Sequence, residues 1–473
     1  FEVDLDACSG CKACVTACHS LNGLDEGETW REVGTLLGGA NRVAVQQTIT
    51  SACHHCADPG CLSGCPVLAY EKDPVTGIVR HLDDQCIGCQ YCILKCPYEV
   101  PKYSASRGIV RKCDMCHNRL AAGEAPACVQ ACPNGAITIR IVNRADLARE
   151  ARQGDWLPDS PDPAITTPST RYRGKKADFA TLQAGDHYEL RPAKEHPPLV
   201  FMLVLTQLSV GVVLIQFLLR LAGAEPGLLA RKLSLVAANA SCGAGLIASV
   251  FHLGRPMQAW KSFLGWRTSW LSREVIAFGT YAPLLAIYSA VAWLEILPAL
   301  AIPLGAATVI TGLGGVVCSV MLYADTRRAF WSLPRAAGKF LGTTLLLGFA
   351  AWLAITVGAG APAPLAGAFE LLLLGASAAK LLGERALFGH LGDSALTPLK
   401  RSALLMLGEL GLFCRARFTL GALAGILLPA AALVFGLNGA VAAVIFAGCL
   451  IAEFCERHLF FRAEASRRMP GAL

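Results

Sequence analysis

The cysteines constrain this chain most, because sixteen of its 21 lie within the first 132 residues, in four groups of four. The groups are Cys8-x2-Cys11-x2-Cys14-x3-Cys18, Cys53-x2-Cys56-x4-Cys61-x3-Cys65, Cys86-x2-Cys89-x2-Cys92-x3-Cys96 and Cys113-x2-Cys116-x11-Cys128-x3-Cys132. The third group has the spacing of a bacterial ferredoxin, in which three close thiolates bind one cubane and the fourth binds its neighbour. Sixteen thiolates at four per cluster predict four [4Fe–4S] centres, a path for single electrons.

Two other uses of cysteine compete with this interpretation. A disulfide framework suits a small secreted domain, but three cysteines within seven residues suit a metal better. Zinc ribbons use C-x2-C pairs and need neither a third nearby cysteine nor the proline that follows three of the four groups. The remaining five cysteines are isolated in apolar surroundings and are interpreted as packing residues: Cys242, Cys318, Cys414, Cys449 and Cys455.

Composition divides the 473 residues into unlike halves, so at least two domains are expected. We predict a four-cluster ferredoxin-like electron-transfer domain at 1–142, an extended linker at 143–198 and a membrane anchor at 199–473. Short β-branched runs at 43–45, 77–80 and 136–139 predict hairpin strands. The predicted fold class is therefore α+β, with tandem ferredoxin-like modules, followed by an all-α bundle of eight transmembrane helices.

The second half contains eight apolar stretches long enough to cross a bilayer. They lie at 199–222, 233–252, 274–296, 301–323, 339–358, 364–383, 418–437 and 440–460. A large buried helical core is the alternative, but eight successive stretches with few internal charges disfavour it. The formal net charge of +7 comes from basic residues near the ends of these stretches, a membrane pattern rather than a nucleic-acid one. Loop charges predict an inner-membrane protein with its iron–sulfur domain on the cytoplasmic side.

A candidate quinone site lies between the second and third apolar stretches, where His252 ends one and Glu274 begins the next. Quinol oxidation needs acceptors for two protons beside an exit for two electrons, and an imidazole with a carboxylate supplies the acceptors. Weaker candidates around the quinone are Arg255, Trp260, Trp266, Arg273, Tyr323 and Asp325. The alternative is structural: His252 ends a helix, Glu274 pairs with Arg273 or Arg255, and the tryptophans form an interfacial belt.

Haem is not expected. A haem b in a helical bundle usually needs axial histidines on facing helices. Beyond residue 200 only His252, His390 and His458 occur, and all lie near one membrane face or in a loop.

The four cysteine groups, with Cys-His-His-Cys-Ala-Asp-Pro-Gly-Cys at 53–61 and Cys-Ile-Gly-Cys-Gln-Tyr-Cys at 86–92, resemble the electron-transfer subunit of dimethyl sulfoxide reductase-type molybdoenzymes. His252-Leu-Gly-Arg-Pro256 with Ser272-Arg-Glu274 is similar to the haem-free, quinol-binding anchor subunit of the same enzymes. The resemblance implies a fusion of those two subunits, with menaquinone or ubiquinone as the membrane reactant and a molybdopterin-containing catalytic subunit as the partner. It places the quinol-linked histidine and glutamate at His252 and Glu274.

The resemblance also implies how the cysteines are shared. Cys8, Cys11 and Cys14 would share a cluster with Cys132; Cys113, Cys116 and Cys128 with Cys18; Cys53, Cys56 and Cys61 with Cys96; and Cys86, Cys89 and Cys92 with Cys65, the last cluster being nearest the quinone. In nitrate reductase relatives a tryptophan replaces the cysteine equivalent to Cys89, so Cys89 implies a full fourth cluster. The better-known dimethyl sulfoxide reductases face the periplasm, whereas the loop charges here favour the cytoplasm.

The resulting hypothesis is a subunit that passes electrons between membrane quinone and a separate catalytic subunit, with either direction of flow open. The alternative is an ion-translocating redox module, which needs ionisable residues deep in the helices. Glu370, Lys380 and Glu453 are its chief candidates. A redox-sensing scaffold would need only one labile cluster.

Overall fold

The structure is a computed structural model that describes residues 1–39, 44–153, 156–175, 178–224, 226–360 and 363–471. The chain forms two compact units. The cysteine-rich unit consists of Phe1–Glu189, Leu253–Ser269 and Ser466–Leu473, and the helical unit consists of Leu190–His252 and Trp270–Ala465.

Short strands form two three-stranded sheets and two hairpins in the cysteine-rich unit. The strands are β1 (Glu2–Asp4), β2 (Glu32–Gly38), β3 (Val45–Ser51), β4 (Tyr70–Lys72), β5 (Val79–His81), β6 (Lys102–Ser104), β7 (Ile109–Arg111), β8 (Ile137–Thr138), β9 (Arg171–Arg173) and β10 (Leu182–Ala184). The sheet orders are β8-β1-β9 and β10-β2-β3, while β4-β5 and β6-β7 are antiparallel pairs. The runs predicted at 77–80 and 136–139 overlap β5 and β8. Of the run at 43–45, Val43 lies outside the described residues, and β3 begins at Val45.

The helices of this unit are short and stand beside the cysteine groups. They are α1 (Ala13–Asn22), α2 (Gly60–Gly64), α3 (Tyr91–Lys95), α4 (His117–Ala121), α5 (Ala127–Gln130) and α6 (Arg144–Gln153). Helix α1 packs on α5, and α2 packs on α3. The first cysteine group therefore meets the fourth, and the second meets the third. Buried cysteines lie in the core with a few aliphatic residues, because such short strands offer little apolar surface of their own.

The segment at 143–198, expected to be an extended linker, differs from that expectation. It contains α6, and two of its strands complete sheets of the cysteine-rich unit: β9 pairs in parallel with β1, and β10 pairs antiparallel to β2. Trp156 packs edge-on against His54 and Tyr98, with ring centroids 5.0 and 5.4 Å apart. The local sequence lacks apolar periodicity because each strand adds only three residues to the edge of an existing sheet.

The helical unit contains eight helices long and apolar enough to span a membrane, among the described residues. Its helices are α7 (Pro197–Leu221), α8 (Leu228–Val250), α9 (Trp270–Leu294), α10 (Ala301–Ala324), α11 (Leu333–Gly358), α12 (Ala363–Arg385), α13 (Pro398–Leu407), α14 (Gly411–Ala422), α15 (Leu428–Phe435) and α16 (Gly439–Arg462). A π-helical turn, Leu423–Leu427, joins α14 and α15 into one span. Pro429 explains this turn, since proline has no N–H to donate to the carbonyl four residues earlier. The predicted fold class is confirmed.

The ends of the spans differ from the sequence prediction where charges lie inside a helix. Helix α11 begins at Leu333 rather than at 339, with Ser332 preceding it and Pro334 in its first turn. Proline is favoured there because its missing N–H is not needed in a first turn. Arg335 therefore belongs to the helix, although the predicted stretch leaves it in the preceding loop.

Candidate iron–sulfur and quinone sites

The four cysteine groups share one backbone feature. In each, the residue before the second cysteine has a positive φ: Gly10 73°, His55 41°, Gly88 70° and Met115 62°. This left-handed conformation turns the chain sharply between the first two cysteines. Glycine adopts it freely, but histidine and methionine do so at a cost in conformational energy, which marks a functional constraint.

The structure gathers the sixteen cysteines into four sets. One cavity is lined by Cys8, Cys11, Cys14 and Cys132, and another by Cys53, Cys56, Cys61 and Cys96. Cys65 packs in one apolar cluster with Cys86, Cys89 and Cys92. Cys18 lies with Cys113, Cys116 and Cys128. The resemblance implies the same sets, and the assignment of each set to one cluster stays a prediction.

The cysteine sets fit iron–sulfur clusters in their chemistry. None of the 21 cysteines, all of which are among the described residues, forms a disulfide. Burial, followed by the charge of Cys128, raises the pKa of Cys18 to about 12. Such crowded thiols become thiolates only when a cation such as iron compensates their charge. Main-chain N–H groups also point at sulfur, since Ala69 donates to Cys65 Sγ over 3.2 Å and Ala136 donates to Cys132 Sγ over 3.3 Å.

Two buried cations lie among these cysteines, and the sequence analysis missed both. Lys112 is 3% exposed; its Nζ donates to the carbonyl of Cys113 over 2.8 Å and faces Cys53 and Cys61. Arg31 is 2% exposed and donates to Thr50 Oγ1 over 3.1 Å. Positive charge near a cluster favours its reduced, more negative form. The position of Lys112 directly before a cysteine is the signal that could have identified it.

The segment Leu253–Ser269 is hydrogen-bonded to the second and third cysteine groups within the cysteine-rich unit. The Arg255 N–H donates to the Ile87 carbonyl over 3.0 Å, and Arg255 Nη1 donates to the Asp83 carbonyl over 2.9 Å. Farther along, the Gly265 N–H donates to the Pro66 carbonyl over 2.8 Å. Leu253 packs against the apolar cluster that contains Cys65 and Cys89.

Trp260 and Trp266, expected near the quinone, point outwards from this segment. Their exposed fractions are 63% and 55%. Lys261 lies over the Trp260 ring at 5.9 Å, and Arg267 lies over the Trp266 ring at 5.4 Å. Exposed tryptophans with neighbouring cations are typical of a membrane interface.

In the helical unit, His252 meets a histidine that the sequence analysis did not consider. The rings of His252 and His196 are 5.2 Å apart in an edge-to-face arrangement. Burial, and then His252, lowers the pKa of His196 to about 3, so His196 is neutral at physiological pH. His196 was missed because it precedes the apolar stretch, although Pro197 directly after it marks the start of α7.

Glu274 is buried and held by α10 rather than by an arginine. Ser319 Oγ donates a hydrogen bond to its carboxylate. Tyr323, one turn beyond Ser319, is also buried, and its ring packs against Phe460 at 5.0 Å. Glu274 thus meets α10 at Ser319, one turn before Tyr323, whose ring lies among aromatic side chains.

The remaining two candidates are Arg273 and Asp325. Arg273 lies over the Trp270 ring at 4.3 Å. Asp325 follows the last residue of α10. The two main candidates have other partners: the His252 ring packs against His196, and the Glu274 carboxylate accepts a hydrogen bond from Ser319.

Comparison with known proteins covers both units. A family model described as a 4Fe-4S dicluster domain matches residues 45–141, and one described as the DMSO reductase anchor subunit (DmsC) matches residues 193–461. The B subunit of anaerobic dimethyl sulfoxide reductase from Haemophilus influenzae is 38% identical over 144 residues, which cover 28% of this protein and 69% of that relative.

Two further relatives belong to other redox systems. Hydrogenase-2 operon protein HybA of Escherichia coli O157:H7 is 35% identical over 222 residues, 41% of this chain and 63% of HybA, so the chain spans less than two thirds of that relative. The iron-sulfur subunit of nitrate-inducible formate dehydrogenase from Escherichia coli K12 is 36% identical over 152 residues, 28% of this chain and 51% of the relative.

Proposed function

From the premise that this chain belongs to the DMSO reductase anchor subunit family and joins that anchor to an iron–sulfur electron-transfer domain, we propose that it passes electrons between membrane quinone and a separate molybdopterin catalytic subunit. The attachment of Leu253–Ser269 to the second and third cysteine groups supports this most strongly. This segment directly follows His252 in the chain, so the proposed proton acceptor and the cysteine ligands are linked by a few residues.

Four [4Fe–4S] clusters would be held by the four cysteine sets, and each bound cluster takes up and gives back one electron. The protein supplies thiolates, the N–H donors to sulfur and the buried cations Lys112 and Arg31. Exclusion of water by Ile87 and Val110, which are 1% and 0% exposed, strengthens these electrostatic effects.

The quinone half-reaction would use His252 and Glu274. When a quinol is oxidised, its two O–H bonds break, two protons pass to bases and two electrons leave one at a time through the clusters. His252 would accept one proton, positioned by the neutral ring of His196. Glu274 would accept the other, oriented by Ser319. The reverse sequence reduces a quinone, so the same residues serve either direction.

We place the cysteine-rich unit on the cytoplasmic side of the inner membrane. Basic residues are concentrated in the loops that share the side of the N-terminal half, including Arg327 and Arg328, and such loops are retained in the cytoplasm.

The test is to purify the chain in detergent and add a reduced quinone analogue. We expect EPR signals from four reduced clusters, iron close to sixteen atoms per chain, and no reduction of S-oxides, N-oxides or oxyanions with an artificial donor. Those reductions should appear when the catalytic subunit co-purifies. Substrate reduction by the chain alone, or clusters that stay oxidised with quinol, would contradict the proposal.

The second candidate, ion translocation, is favoured by one observation: Lys380 and Glu453 form an ion pair inside the helical unit, with side chains 3% and 0% exposed. Measurement of membrane potential in proteoliposomes during quinone turnover distinguishes the two candidates. A potential that exceeds the charge moved by the electrons would favour translocation.

A further inference from the structure

The helical unit contains a buried network of seven charged side chains on α11, α12, α14 and α16. Its members are Lys339, Lys380, Arg417, Arg457, Glu384, Glu453 and Glu456. The most exposed side chain is that of Lys339, at 13%. Such groups are costly inside a membrane protein and mark proton or substrate pathways more often than packing.

Glu453 and Glu456 are the centres of the network. Glu453 accepts hydrogen bonds from Lys380 and, over 2.8 Å, from Arg417 Nη1. Glu456 accepts one from Lys339 over 2.7 Å and lies 3.3 Å from Arg457 Nη2. Lys380 Nζ also lies 3.8 Å from Glu456, so it joins the two carboxylates.

The charges of the network do not balance when every member is ionised. Four cations face three carboxylates, which leaves one excess positive charge. A buried net charge is expensive, and the network can remove it by releasing one proton. Arginine holds its proton, and Lys339 is the most exposed member, so Lys380 is the buried member that can change its protonation state.

A series of side chains on α10, α11 and α16 lies between this network and Glu274. Glu274 is bonded to Ser319, and Tyr323 lies one turn farther along α10. The Tyr323 ring packs on Phe340 at 5.7 Å, and the Arg457 guanidinium lies 3.9 Å from the centre of the same ring. Tyr323 and Arg457 thus meet at the Phe340 ring, and the Glu274 carboxylate acts on Tyr323 electrostatically.

Arg457, in the middle of this series, has buried N–H donors without a hydrogen-bond partner among the described residues. These donors are its Nε and Nη1, and Gln207 Nε2 is likewise buried without a partner in the part of the chain that the structure describes. Arg457 Nη2 donates to Gln207 Oε1 and to Thr343 Oγ1, each over 3.2 Å. Buried donors of this kind are commonly satisfied by ordered water, which also conducts protons.

All of these side chains, from Glu274 to Lys339, lie at one end of the helices of the helical unit. Glu274 and Lys339 are near the starts of α9 and α11, while Tyr323, Lys380 and Glu456 are near the ends of α10, α12 and α16. Each member is within about ten residues of a helix end, or about 15 Å along the axis.

We propose that this series of side chains is the proton route of the quinone site. The route runs from Glu274 through Tyr323 and Arg457 to Lys380, and the proton leaves beside Lys339 at the same end of the helices. This inference rests on the proposed quinone reaction. A proton released by quinol passes to the Glu274 carboxylate, then by way of Tyr323 and water at Arg457 to the neutral amine of Lys380. Lys380 then transfers the proton to Glu456, which releases it to water beside Lys339, while the electrons leave through the clusters.

The test uses Lys380→Met in the complete membrane-bound complex. This substitution leaves three cations and three carboxylates, so the network stays balanced and the helices should still fold. We expect steady-state quinol oxidation to fall at least about tenfold. The solvent deuterium isotope effect should rise.

Controls distinguish this inference from the function on which it rests. Glu456→Gln, which removes the carboxylate that passes the proton on, should also impair turnover, whereas Glu370→Gln, a buried carboxyl of α12 outside the network, should leave it unchanged. Unchanged turnover in Lys380→Met and Glu456→Gln, or a loss without an isotope effect, would show a packing role only and overturn the route. A wild-type complex that does not oxidise quinol would overturn the quinone function itself.

Discussion

The main-chain N–H of Arg255 donates a hydrogen bond of 3.0 Å to the carbonyl of Ile87, the residue that follows Cys86. A segment of the anchor sequence is thereby built into the ligand loop of the third cysteine group. Arg255 acts here through its backbone and by bonding the Asp83 carbonyl. The geometry of this ligand loop therefore depends on main-chain packing, not only on side chains.

Gly254→Ala should disturb this packing. A Cβ at position 254 would lie 2.1 Å from the carbonyl oxygen of Gly108, which is too close for any real contact, so Leu253–Ser269 must shift. We expect slower reduction of the clusters by quinol and a changed EPR signal from one cluster. Gly279→Ala is the matched control, because a Cβ there meets nothing within 4 Å. Equal kinetics in the two variants would contradict the role given to the segment.

The pairing of cysteine groups makes a second prediction. Cys65→Ser and Cys89→Ser should each alter the same EPR signal, because both thiols belong to one set. Cys96→Ser should alter a different signal, that of the set with Cys53 and Cys61. If Cys65→Ser and Cys96→Ser changed the same cluster, the pairing would be wrong.

Lys112→Met should lower the reduction potential of at least one cluster, because it removes a buried positive charge that stabilises the reduced form. We expect a shift of about 59 mV or more, the one-electron equivalent of a tenfold change. EPR-monitored redox titration measures it. Lys102→Met is the control, since its side chain is 33% exposed and pairs with Glu32 at the surface. Potentials that move equally in both variants would exclude a specific effect of Lys112.

His196 makes stability depend on pH. Its pKa in the folded protein is about 3, lowered first by burial, whereas an unfolded histidine titrates near 6.5. Between these values the unfolded chain binds more protons, so stability falls as pH drops below about 6.5, by up to about 1.4 kcal/mol per pH unit. His196→Gln should flatten the decline of melting temperature between pH 7 and 5. The same decline in both proteins would place the acid sensitivity elsewhere.

Local spacing predicted the cysteine groups and the eight helices, whereas the cysteine that each group shares with another was implied only by the resemblance. Three cysteines within seven residues, such as Cys86 to Cys92, bring their thiols together whatever the surrounding fold. An apolar stretch of sufficient length likewise has few alternatives to a membrane helix. The strands β9 and β10 were not predictable in this way, because their partners are far away in the sequence.

The charge network could not be predicted from the local sequence either. In the sequence Lys380 and Glu453 lie in different apolar stretches, and Arg417 lies just outside the predicted stretch at 418–437. Their association depends on helices α12, α14 and α16 packing together, and these contacts join residues separated by 36 and 73 positions. No local pattern contains that information. His196 escaped notice for a related reason, since only tertiary packing brings it to His252.

The most direct test of the proposed quinone-linked electron transfer follows cluster reduction by quinol in His252→Ala and Glu274→Gln. Both variants should contain all four clusters and remain in the membrane. Reduction by quinol should slow substantially in His252→Ala and more mildly in Glu274→Gln, while turnover with a soluble dye donor that feeds the clusters should be unchanged. Quinol kinetics equal to those of the wild type in both variants would contradict the proposed site.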